Sequence, residues 1–284
     1  MPTSRAGERG QTARVIPLLR AAHFPPTVAV TAVTTALAVS AGRGVGSVGV
    51  ALAVLAGQLS VGWSNDYLDR DRDRASGRAD KPIVAGTVAA PTVRIAAGVA
   101  LVACVPLSLL SGWRAALVHL GAVGLAWAYN AVLKRGPWSI VPYTVAFGAL
   151  PAFVTLGLPG HPWPPGWAVV AAALLGSGAH LVNALPDLDD DRAVGIVGLP
   201  HRLGRDPSLV VAALLMGGAV AIAALAPAGA MDEVGAILLA GAGLGVGGVI
   251  AAGLTSHERM AWWCTLGVAA MGVGLLVARG HALA

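Results

Sequence analysis

Long apolar stretches alternate with short polar segments along most of the chain. A helix needs about 20 residues to cross the hydrocarbon core of a bilayer, and nine stretches approach that length. They predict nine transmembrane helices, near residues 25–42, 46–64, 92–111, 115–133, 138–158, 165–185, 208–228, 233–254 and 260–278. The stretches are too long and alternate too little for barrel strands. We therefore expect an all-α integral membrane protein whose helices satisfy their own backbone hydrogen bonds in lipid.

The composition agrees with a membrane location. Hydrophobic residues make up 56% of the chain and charged residues 12%, whereas a soluble domain carries about 25% charged residues. Ordinary cytosolic, disordered and fibrous classes are thereby excluded. The formal net charge of +5 is spread between apolar stretches rather than gathered on one solvated face, so nucleic acid is not an expected partner. Cys104 and Cys264 lie far apart within apolar runs and are expected to be buried structural thiols.

The basic residues predict the orientation of the bundle, because short cytoplasmic loops are enriched in Lys and Arg. With the amino terminus in the cytoplasm, 16 of the 19 basic residues fall inside and only Arg43, Arg114 and Arg279 outside. We therefore expect the amino terminus in the cytoplasm, the carboxyl terminus outside and the protein in the plasma membrane. Residues 1–22 are interpreted as a polar cytoplasmic segment rather than a removable signal peptide, and residues 23–284 as the transmembrane domain.

The acidic residues form two clusters. Of 14 in the chain, five lie between Asp66 and Asp80 and four between Asp187 and Asp191. The clusters follow the second and the sixth predicted helix, both at cytoplasmic ends. This placement predicts a pseudo-repeat of two four-helix halves, each with an acidic second helix end, followed by a ninth helix.

The first cluster has helical spacing. Asn65, Asp69 and Asp73 are four residues apart and Asp66 precedes Asp69 by three, so a continuing helix would place all four on one face. Carboxylates at this spacing repel one another unless a cation neutralises them. Ligands that are all oxygen atoms favour a hard ion, most plausibly Mg²⁺, which retains waters and bridges to phosphate oxygens.

The second cluster repeats the spacing with Asn183, Asp187 and Asp191, while Asp189 and Asp190 point elsewhere. Two such faces opposite each other could hold Mg²⁺ ions with a diphosphate between them. Basic residues nearby could pair with its oxygens: Arg72, Arg78, Lys81, Lys134, Arg135, Arg192 and Arg202. A single Asp- and Arg-rich loop is usually a solvated surface, but two matching clusters favour a metal and diphosphate site.

Three segments carry a family resemblance. Residues 65–73 (NDYLDRDRD), followed by residues 81–86 (KPIVAG), resemble the NDxxDxxxD and (R/K)PixxG motifs of the UbiA superfamily of intramembrane prenyltransferases. Residues 183–204 are similar to its NxxxDxxxD…GxxTLPxxxG region, and residues 129–135 (YNAVLKR) to its YxxxLKR motif. The usual Lys and Thr of the second region are Ile196 and Gly198 here, which leaves the acceptor open.

The resemblance implies a UbiA-type nine-helix bundle over 23–284. Its implied reaction is Mg²⁺-dependent transfer of a prenyl group from an isoprenyl diphosphate to an aromatic or lipid acceptor within the membrane. The implied metal ligands are Asp66, Asp69, Asp73, Asp187 and Asp191, of which Asp66, Asp69, Asp187 and Asp191 are the candidate catalytic residues. The candidate substrate-binding residues are Asn65, Arg72, Lys81, Tyr129, Lys134, Arg135 and Asn183.

Other functions and roles stay open at this point. A terpene cyclase of the same fold would use the diphosphate without an acceptor. A cation transporter would need carboxylates at mid-membrane, whereas both clusters are predicted at one side. Aromatic faces can stabilise an allylic cation, and the candidates are Trp63, Tyr67, Trp127, Tyr129, Tyr143, Phe147 and Phe153. His180, one turn before Asn183, is either a hydrogen-bonded histidine of the bundle or an acid–base group.

Overall fold

The computed structural model describes residues 16–228, 231–255 and 257–283, and within these ranges all regular structure is helical. Most of the predicted cytoplasmic segment, residues 1–15, lies outside them. The α-helices are α1 (16–21), α2 (Phe24–Ser40), α3 (Gly46–Ala75), α4 (Ala90–Leu109), α5 (Trp113–Ala131), α6 (Val141–Gly148), α7 (Leu150–Thr155), α8 (Gly166–Asn183), α9 (Leu188–Ala193), α10 (Leu199–Leu203), α11 (Arg205–Leu225), α12 (Glu233–Leu254) and α13 (Glu258–Ala278).

Seven helical stretches in the described ranges are long and apolar enough to cross a membrane. They are Gly46–Ala75, Ala90–Leu109, Pro137–Thr155, Gly166–Ala193, Arg205–Leu225, Glu233–Ala252 and Arg259–Ala278. The protein is therefore an all-α integral membrane protein, as predicted. The helix α2 is apolar but has 17 residues, and α5 has 19 residues with Arg114, His119 and Asn130 among them. The count of nine spans stays a prediction.

Small residues bring the helices close together. A Cβ atom on Gly176 of α8 would lie 2.5 Å from the Cβ of Phe147 on α6, and one on Gly178 would lie 2.8 Å from the Cγ of Met216 on α11. Glycine at these positions lets α8 pack between two neighbouring helices, as small residues do in membrane bundles. Side chains such as Leu244, 80% exposed, and Val102, 72% exposed, point outward as lipid-facing residues do.

The predicted span 138–158 is interrupted. It consists of α6 and α7, which meet at Ala149. Pro151 has no N–H to donate to the carbonyl of Phe147 and its ring crowds that carbonyl, so a regular helix cannot run through this point. The predicted span is nevertheless among the seven stretches that could cross a membrane, Pro137–Thr155, and only the break within it was not predicted.

The helix α3 runs eleven residues past its predicted end at residue 64 and carries Asp66, Asp69, Asp71 and Asp73 of the first acidic cluster, while Asp80 lies in the following loop. The continuing helix expected there is confirmed. The second cluster differs, because α8 ends at Asn183, a 3₁₀ turn covers Leu185–Asp187, and α9 begins at Leu188. Pro186 within the turn cannot donate an N–H to the carbonyl of Val182. The four-residue spacing of this cluster is therefore not that of one straight helix.

The segment before α2 is fixed to α3. The Nε1 atom of Trp63 donates a hydrogen bond of 2.8 Å to the carbonyl of Leu18. The carbonyl oxygen of Ala22 accepts a hydrogen bond from Thr27 and would lie 2.1 Å from a Cβ atom on Gly62. Only glycine allows this approach, which places α1 and the start of α2 against the turn of α3 that precedes Asn65.

Candidate active site

A chamber of about 570 Å³ lies within the bundle, between α2, α3, α5, α6 and α8. Its inner walls are apolar, with Leu37, Val54, Val123, Phe147 and Leu150 among them. Its opposite end is a charged rim. The rim receives Asn65, Asp69, Arg72, Arg78 and Lys81 from α3 and the following loop, Lys134 from the turn after α5, and Asn183, Asp187 and Asp191 from α8 and the segment that follows it.

The first acidic cluster is buried at or beside this rim, where Asp69 lines the chamber and Asp66 and Asp73 do not. Asp66, Asp69 and Asp73 are 2%, 5% and 1% exposed. Asp69 faces the chamber together with Asn65. The intervening Asp71 is on the outer side of α3, with 69% of its side chain exposed. The helix therefore turns three carboxylates inward and leaves one in solvent, as the spacing predicted.

Basic side chains partly neutralise these carboxylates. The ammonium of Lys134 forms a buried ion pair with Asp69, whose other oxygen accepts a 2.8 Å hydrogen bond from Arg72. The Nζ atom of Lys81 lies 3.5 Å from Oδ1 of Asp66. Burial lowers the pKa of Lys134, and the charge of Asp69 opposes that effect. The rim thus contains cations that a phosphate group could share with the carboxylates.

The oxygen atoms of the cluster fit a divalent cation. Both carboxylate oxygens of Asp66 and Oδ2 of Asp73 are buried without a hydrogen-bond partner among the described residues. Buried charges of this kind are costly unless they are paired or coordinate a metal. No three His, Cys, Asp or Glu side chains in the described ranges are close enough to hold a metal ion by themselves. A hard cation here would complete its shell with water or a bound anion, as Mg²⁺ usually does.

The second cluster reaches the same rim from α8 and α9. Oδ1 of Asp187 lies 3.2 Å from Nη1 of Arg78, and Oδ2 of Asp191 lies 3.3 Å from Nε2 of His201. The amide of Asn183 donates a 3.4 Å hydrogen bond to the hydroxyl of Tyr143. The two acidic helix ends therefore meet across one chamber, and Arg78 bridges them.

The surroundings of Arg78 favour its charged form. Burial lowers the pKa of Arg78, but the hydrogen bond with Asp80 and the charge of Asp187 outweigh it, so the pKa is above its ordinary value. Arg135, by contrast, is exposed and is not among the residues that line the chamber. Asp189 and Asp190 are exposed as expected, and Asp189 pairs with Arg192 at 3.4 Å.

Aromatic rings surround the junction of rim and chamber. The ring of Tyr129 is edge-on to that of Tyr143, with centroids 5.2 Å apart, and Tyr143 is stacked on Phe147 at 6.2 Å. His180 lies 4.9 Å from Tyr143, and its Nε2 is 3.0 Å from the hydroxyl of Ser139. Of the seven aromatic candidates, Trp63, Tyr67, Trp127 and Phe153 do not line the chamber.

Several residues at the rim were not predicted. Asn130, 4% exposed, accepts a 3.2 Å hydrogen bond from the amide of Asn65 and donates to Ser64 and to the carbonyl of Val61. Two signals in the sequence could have identified Asn130. It directly follows Tyr129, and buried amide side chains are rare in transmembrane helices. Ser139, in the 3₁₀ turn Pro137–Ile140, and His201, on α10, carry no such signal in the sequence.

Gly198, one of the two departures from the family motif, is tightly packed. A Cβ atom there would lie 2.8 Å from the carbonyl oxygen of Lys134 and 2.9 Å from Oγ of Ser139. Ile196 and Gly198 both line the chamber. Glycine at this position therefore lets the turn before α10 pack directly against the Lys134 backbone. A larger side chain would fit only if one of these two segments moved.

Fold and site together define an intramembrane enzyme of the all-α class, with an apolar chamber that ends in two meeting acidic clusters. The chain belongs to the UbiA prenyltransferase family, whose family model matches residues 24–276, and it is thus a prenyltransferase.

Curated relatives agree with this assignment. The 33 kDa chain of bacteriochlorophyll synthase from Rhodobacter capsulatus is 31% identical over 70% of this chain and 69% of its own length. Digeranylgeranylglyceryl phosphate synthase from Natronomonas pharaonis is 35% identical over 58% of this chain. The alignment spans 60% of that synthase, which is less than two thirds of its length.

Solved structures share the fold. A structure of digeranylgeranylglyceryl phosphate synthase has a TM-score of 0.70 at 15% identity, over 95% of this chain and 99% of its own. A UbiA homologue from Archaeoglobus fulgidus, bound to GPP and Mg²⁺, has a TM-score of 0.64 at 18% identity, over 92% of this chain and 99% of its own.

Proposed function

We propose that this protein transfers a prenyl group from an isoprenyl diphosphate to an aromatic or lipid acceptor within the membrane, with Mg²⁺ as cofactor. The observation that carries the proposal is the meeting of two acidic helix ends at the charged rim of an apolar chamber. The GPP and Mg²⁺ named for the Archaeoglobus fulgidus homologue support the donor and the metal. The two named synthases support prenyl transfer and leave the acceptor undecided.

The metal ligands would come from both acidic clusters. Asp66 and Asp73 have the unpartnered oxygens, Asp69 lies between them, and Asp187 and Asp191 approach from the other side. When bound, Mg²⁺ would offset the negative charge that develops on the departing diphosphate. Asn65 would contribute its amide oxygen, because its nitrogen already donates to Asn130.

The cations of the rim would bind the diphosphate. Arg72, Lys81 and Lys134 now contact carboxylates, and they would share those contacts with phosphate oxygens in the substrate complex. The hydrocarbon tail would extend into the apolar chamber. Tyr129 and Tyr143 present ring faces near the rim, where cation–π attraction would stabilise positive charge at the carbon that loses the diphosphate.

The membrane arrangement that we propose has nine spans. It adds α2 and α5 to the seven stretches that meet the length and hydropathy requirements, because both pack within the same bundle. The rim and residues 1–22 would face the cytoplasm, and the bundle formed by 23–284 would lie in the plasma membrane. This orientation rests on the asymmetry of the basic residues.

The test uses purified protein with Mg²⁺, geranylgeranyl diphosphate and a panel of phenolic and lipid acceptors, with product identified by mass spectrometry. We expect prenylated acceptor from the wild type, none from Asp66→Ala and a wild-type yield from Asp71→Ala, since Asp71 is exposed on the same helix. Release of a cyclic hydrocarbon without acceptor would overturn the transfer reaction in favour of a cyclase.

A further inference from the structure

The five candidate metal ligands differ in the partners of their carboxylates. Four of them have a lysine or arginine nitrogen at ion-pair distance: Asp66, Asp69, Asp73 and Asp187. Asp191 has no such partner among the described residues, and its carboxylate instead contacts His201. The negative charge of Asp191 is therefore the least compensated of the five.

The surroundings of His201 determine which nitrogen of its ring carries the proton. Its Nε2 atom lies 3.3 Å from Oδ2 of Asp191, and its Nδ1 atom is buried without a hydrogen-bond partner in the described ranges. An ionised carboxylate only accepts hydrogen bonds, so the proton of a neutral ring is on Nε2. A charged ring would add a second N–H at Nδ1, buried without an acceptor, which is costly. His201 is therefore a neutral donor to Asp191.

A neutral donor orients a carboxylate without cancelling its charge. The hydrogen bond at Oδ2 leaves Oδ1 of Asp191 without a hydrogen-bond partner in the part of the chain that the structure describes. Asp191 lines the chamber with 19% of its side chain exposed, whereas the side chain of His201 is 4% exposed. One oxygen of Asp191 is thus fixed from behind and the other is open to a ligand. Carboxylates that bind metal ions are commonly oriented by such a second hydrogen bond.

The helix α10, which carries His201, is held in place by two further contacts. Nη2 of Arg192 donates a 2.6 Å hydrogen bond to the carbonyl of His201. The backbone N–H of Leu199 donates a 2.9 Å hydrogen bond to Oγ of Ser139. Since Arg192 directly follows Asp191, the ring and the carbonyl of His201 are both bonded to consecutive residues of α9. Arg192, a possible diphosphate contact by its sequence position, thus contacts the backbone of α10 instead.

We propose that His201 is a positioning residue for the divalent cation, because it holds Asp191 with one uncompensated oxygen free to bind the ion. Arg192 supports this role by fixing the backbone of His201. The inference rests on the proposed function, since it takes Asp191 as a ligand of Mg²⁺. It adds the residue on which the metal affinity of the second acidic cluster depends.

The test measures metal binding apart from turnover. Mg²⁺ is titrated into the detergent-solubilised protein, alone and with inorganic pyrophosphate, and the concentration that gives half of the rise in Tm is recorded. His201→Leu removes the donor, His201→Gln places an amide nitrogen near the Nε2 position, and His201→Asn places one near the Nδ1 position. Asp190→Asn is the control, because Asp190 is exposed and directly precedes Asp191. The Tm in EDTA shows whether each variant is folded.

We expect His201→Leu and His201→Asn to raise this Mg²⁺ concentration by about 10- to 100-fold. His201→Gln should recover most of the affinity, and Asp190→Asn should behave as the wild type. In an Asp191→Asn background, His201→Leu should have no further effect, because both changes remove the same interaction. If His201→Leu does not fold, the comparison of His201→Gln with His201→Asn decides the outcome.

Three results would overturn the inference. The first is a lower Tm in EDTA with an unchanged Mg²⁺ requirement, since His201 would then serve only to pack α10. The second is an effect of His201→Leu that persists undiminished in the Asp191→Asn background. The third is the absence of any Mg²⁺-dependent rise in the Tm of the wild type, with or without pyrophosphate.

Turnover separates this inference from the proposed function. If the wild type transfers no prenyl group to any acceptor, the proposed function fails, while a Mg²⁺ affinity that depends on His201 still supports the positioning role. If the wild type transfers a prenyl group and the His201 variants leave the Mg²⁺ titration unchanged, the proposed function stands and the positioning role is refuted.

Discussion

The Nη1 atom of Arg78 lies 3.2 Å from Oδ1 of Asp187, and this ion pair joins the loop after α3 to the turn after α8. Arg78 also bonds Asp80 at 3.3 Å, so it orders its own loop while it reaches across the rim. The two halves of the site are therefore held together by a guanidinium group that is itself a candidate contact for diphosphate.

Replacing Arg78 should loosen this connection. We expect Arg78→Ala to raise the KM of the isoprenyl diphosphate about tenfold and Arg78→Lys to raise it less, because an ammonium keeps the charge but not the two-pronged geometry. Steady-state kinetics measure both. Arg74→Ala is the control, since Arg74 is 62% exposed and pairs only with exposed Asp71. Equal increases in KM from Arg74→Ala and Arg78→Ala would contradict the bridging role of Arg78.

Breaking the buried pair of Asp69 and Lys134 should destabilise the fold. Each side chain is 6% exposed, so Asp69→Asn leaves a buried ammonium without its carboxylate, and Lys134→Met leaves a buried carboxylate with only part of its compensating charge, from Arg72. We expect each single variant to lose about 3–5 kcal/mol in free energy of unfolding, and the double variant to lose less than the sum. Thermal unfolding in detergent measures this, and activity should be absent in all three. A double variant with wild-type activity would exclude the pair from the site.

Mg²⁺ should stabilise the wild type, because an ion that binds only the folded state shifts the unfolding equilibrium. The gain is about 2.7 kcal/mol at one hundred times the dissociation constant. Asp66→Asn and Asp73→Asn should abolish the Mg²⁺-dependent rise in Tm, and EDTA should abolish activity of the wild type. Asp71→Asn should behave as the wild type. A rise in Tm that survives Asp66→Asn and Asp73→Asn together would place the ion elsewhere.

Asn130 should control the metal through Asn65. Its Oδ1 accepts a hydrogen bond from the Asn65 amide nitrogen, and both residues line the chamber. We expect Asn130→Ala to raise the Mg²⁺ concentration for half-maximal activity about tenfold, with a smaller change in the KM of the diphosphate. Asn130→Asp keeps the acceptor and should recover part of the effect. If Asn130→Ala lowers Tm but leaves the Mg²⁺ concentration for half-maximal activity unchanged, Asn130 has a purely structural role.

Gly198 should tolerate no side chain. A methyl group there would press on the Lys134 carbonyl and on Ser139, which bonds both His180 and the amide of Leu199. We expect Gly198→Ala to cost about 1–3 kcal/mol in stability and to lower kcat several-fold. Gly136→Ala is the matched control, because a Cβ atom on Gly136 meets no atom within 4 Å. Unchanged Tm and kcat in Gly198→Ala would refute the packing argument.

Much of the fold could be predicted because apolar length and composition determine where membrane helices lie. The helix α12 begins and ends at the predicted residues 233 and 254, and α3 carries the first acidic cluster as its spacing indicated. The breaks at Ala149 and after Asn183 were missed. Each depends on one proline, at positions 151 and 186, whose effect within an apolar run depends on the neighbouring packing.

The polar partners of the site could not be predicted from spacing alone. Ser139 bonds His180 across 41 positions, and Asn65 bonds Asn130 across 65. Such contacts depend on how far each helix is rotated about its axis relative to its neighbour. Periodicity gives the apolar face of a helix but leaves that rotation undetermined when the helix is apolar on all sides, as in most of this bundle.

The contact between the Ala22 carbonyl and Gly62 has a practical consequence for handling the protein. The segment before α2 bears on α3 one helical turn before Asn65 and Asp66, so variants of the site must keep residue 62 as glycine. At the other end, Gly280 packs against Ser40, the last residue of α2, about 24 Å along that helix from its start. Variants near either end of α2 must therefore preserve both Gly62 and Gly280.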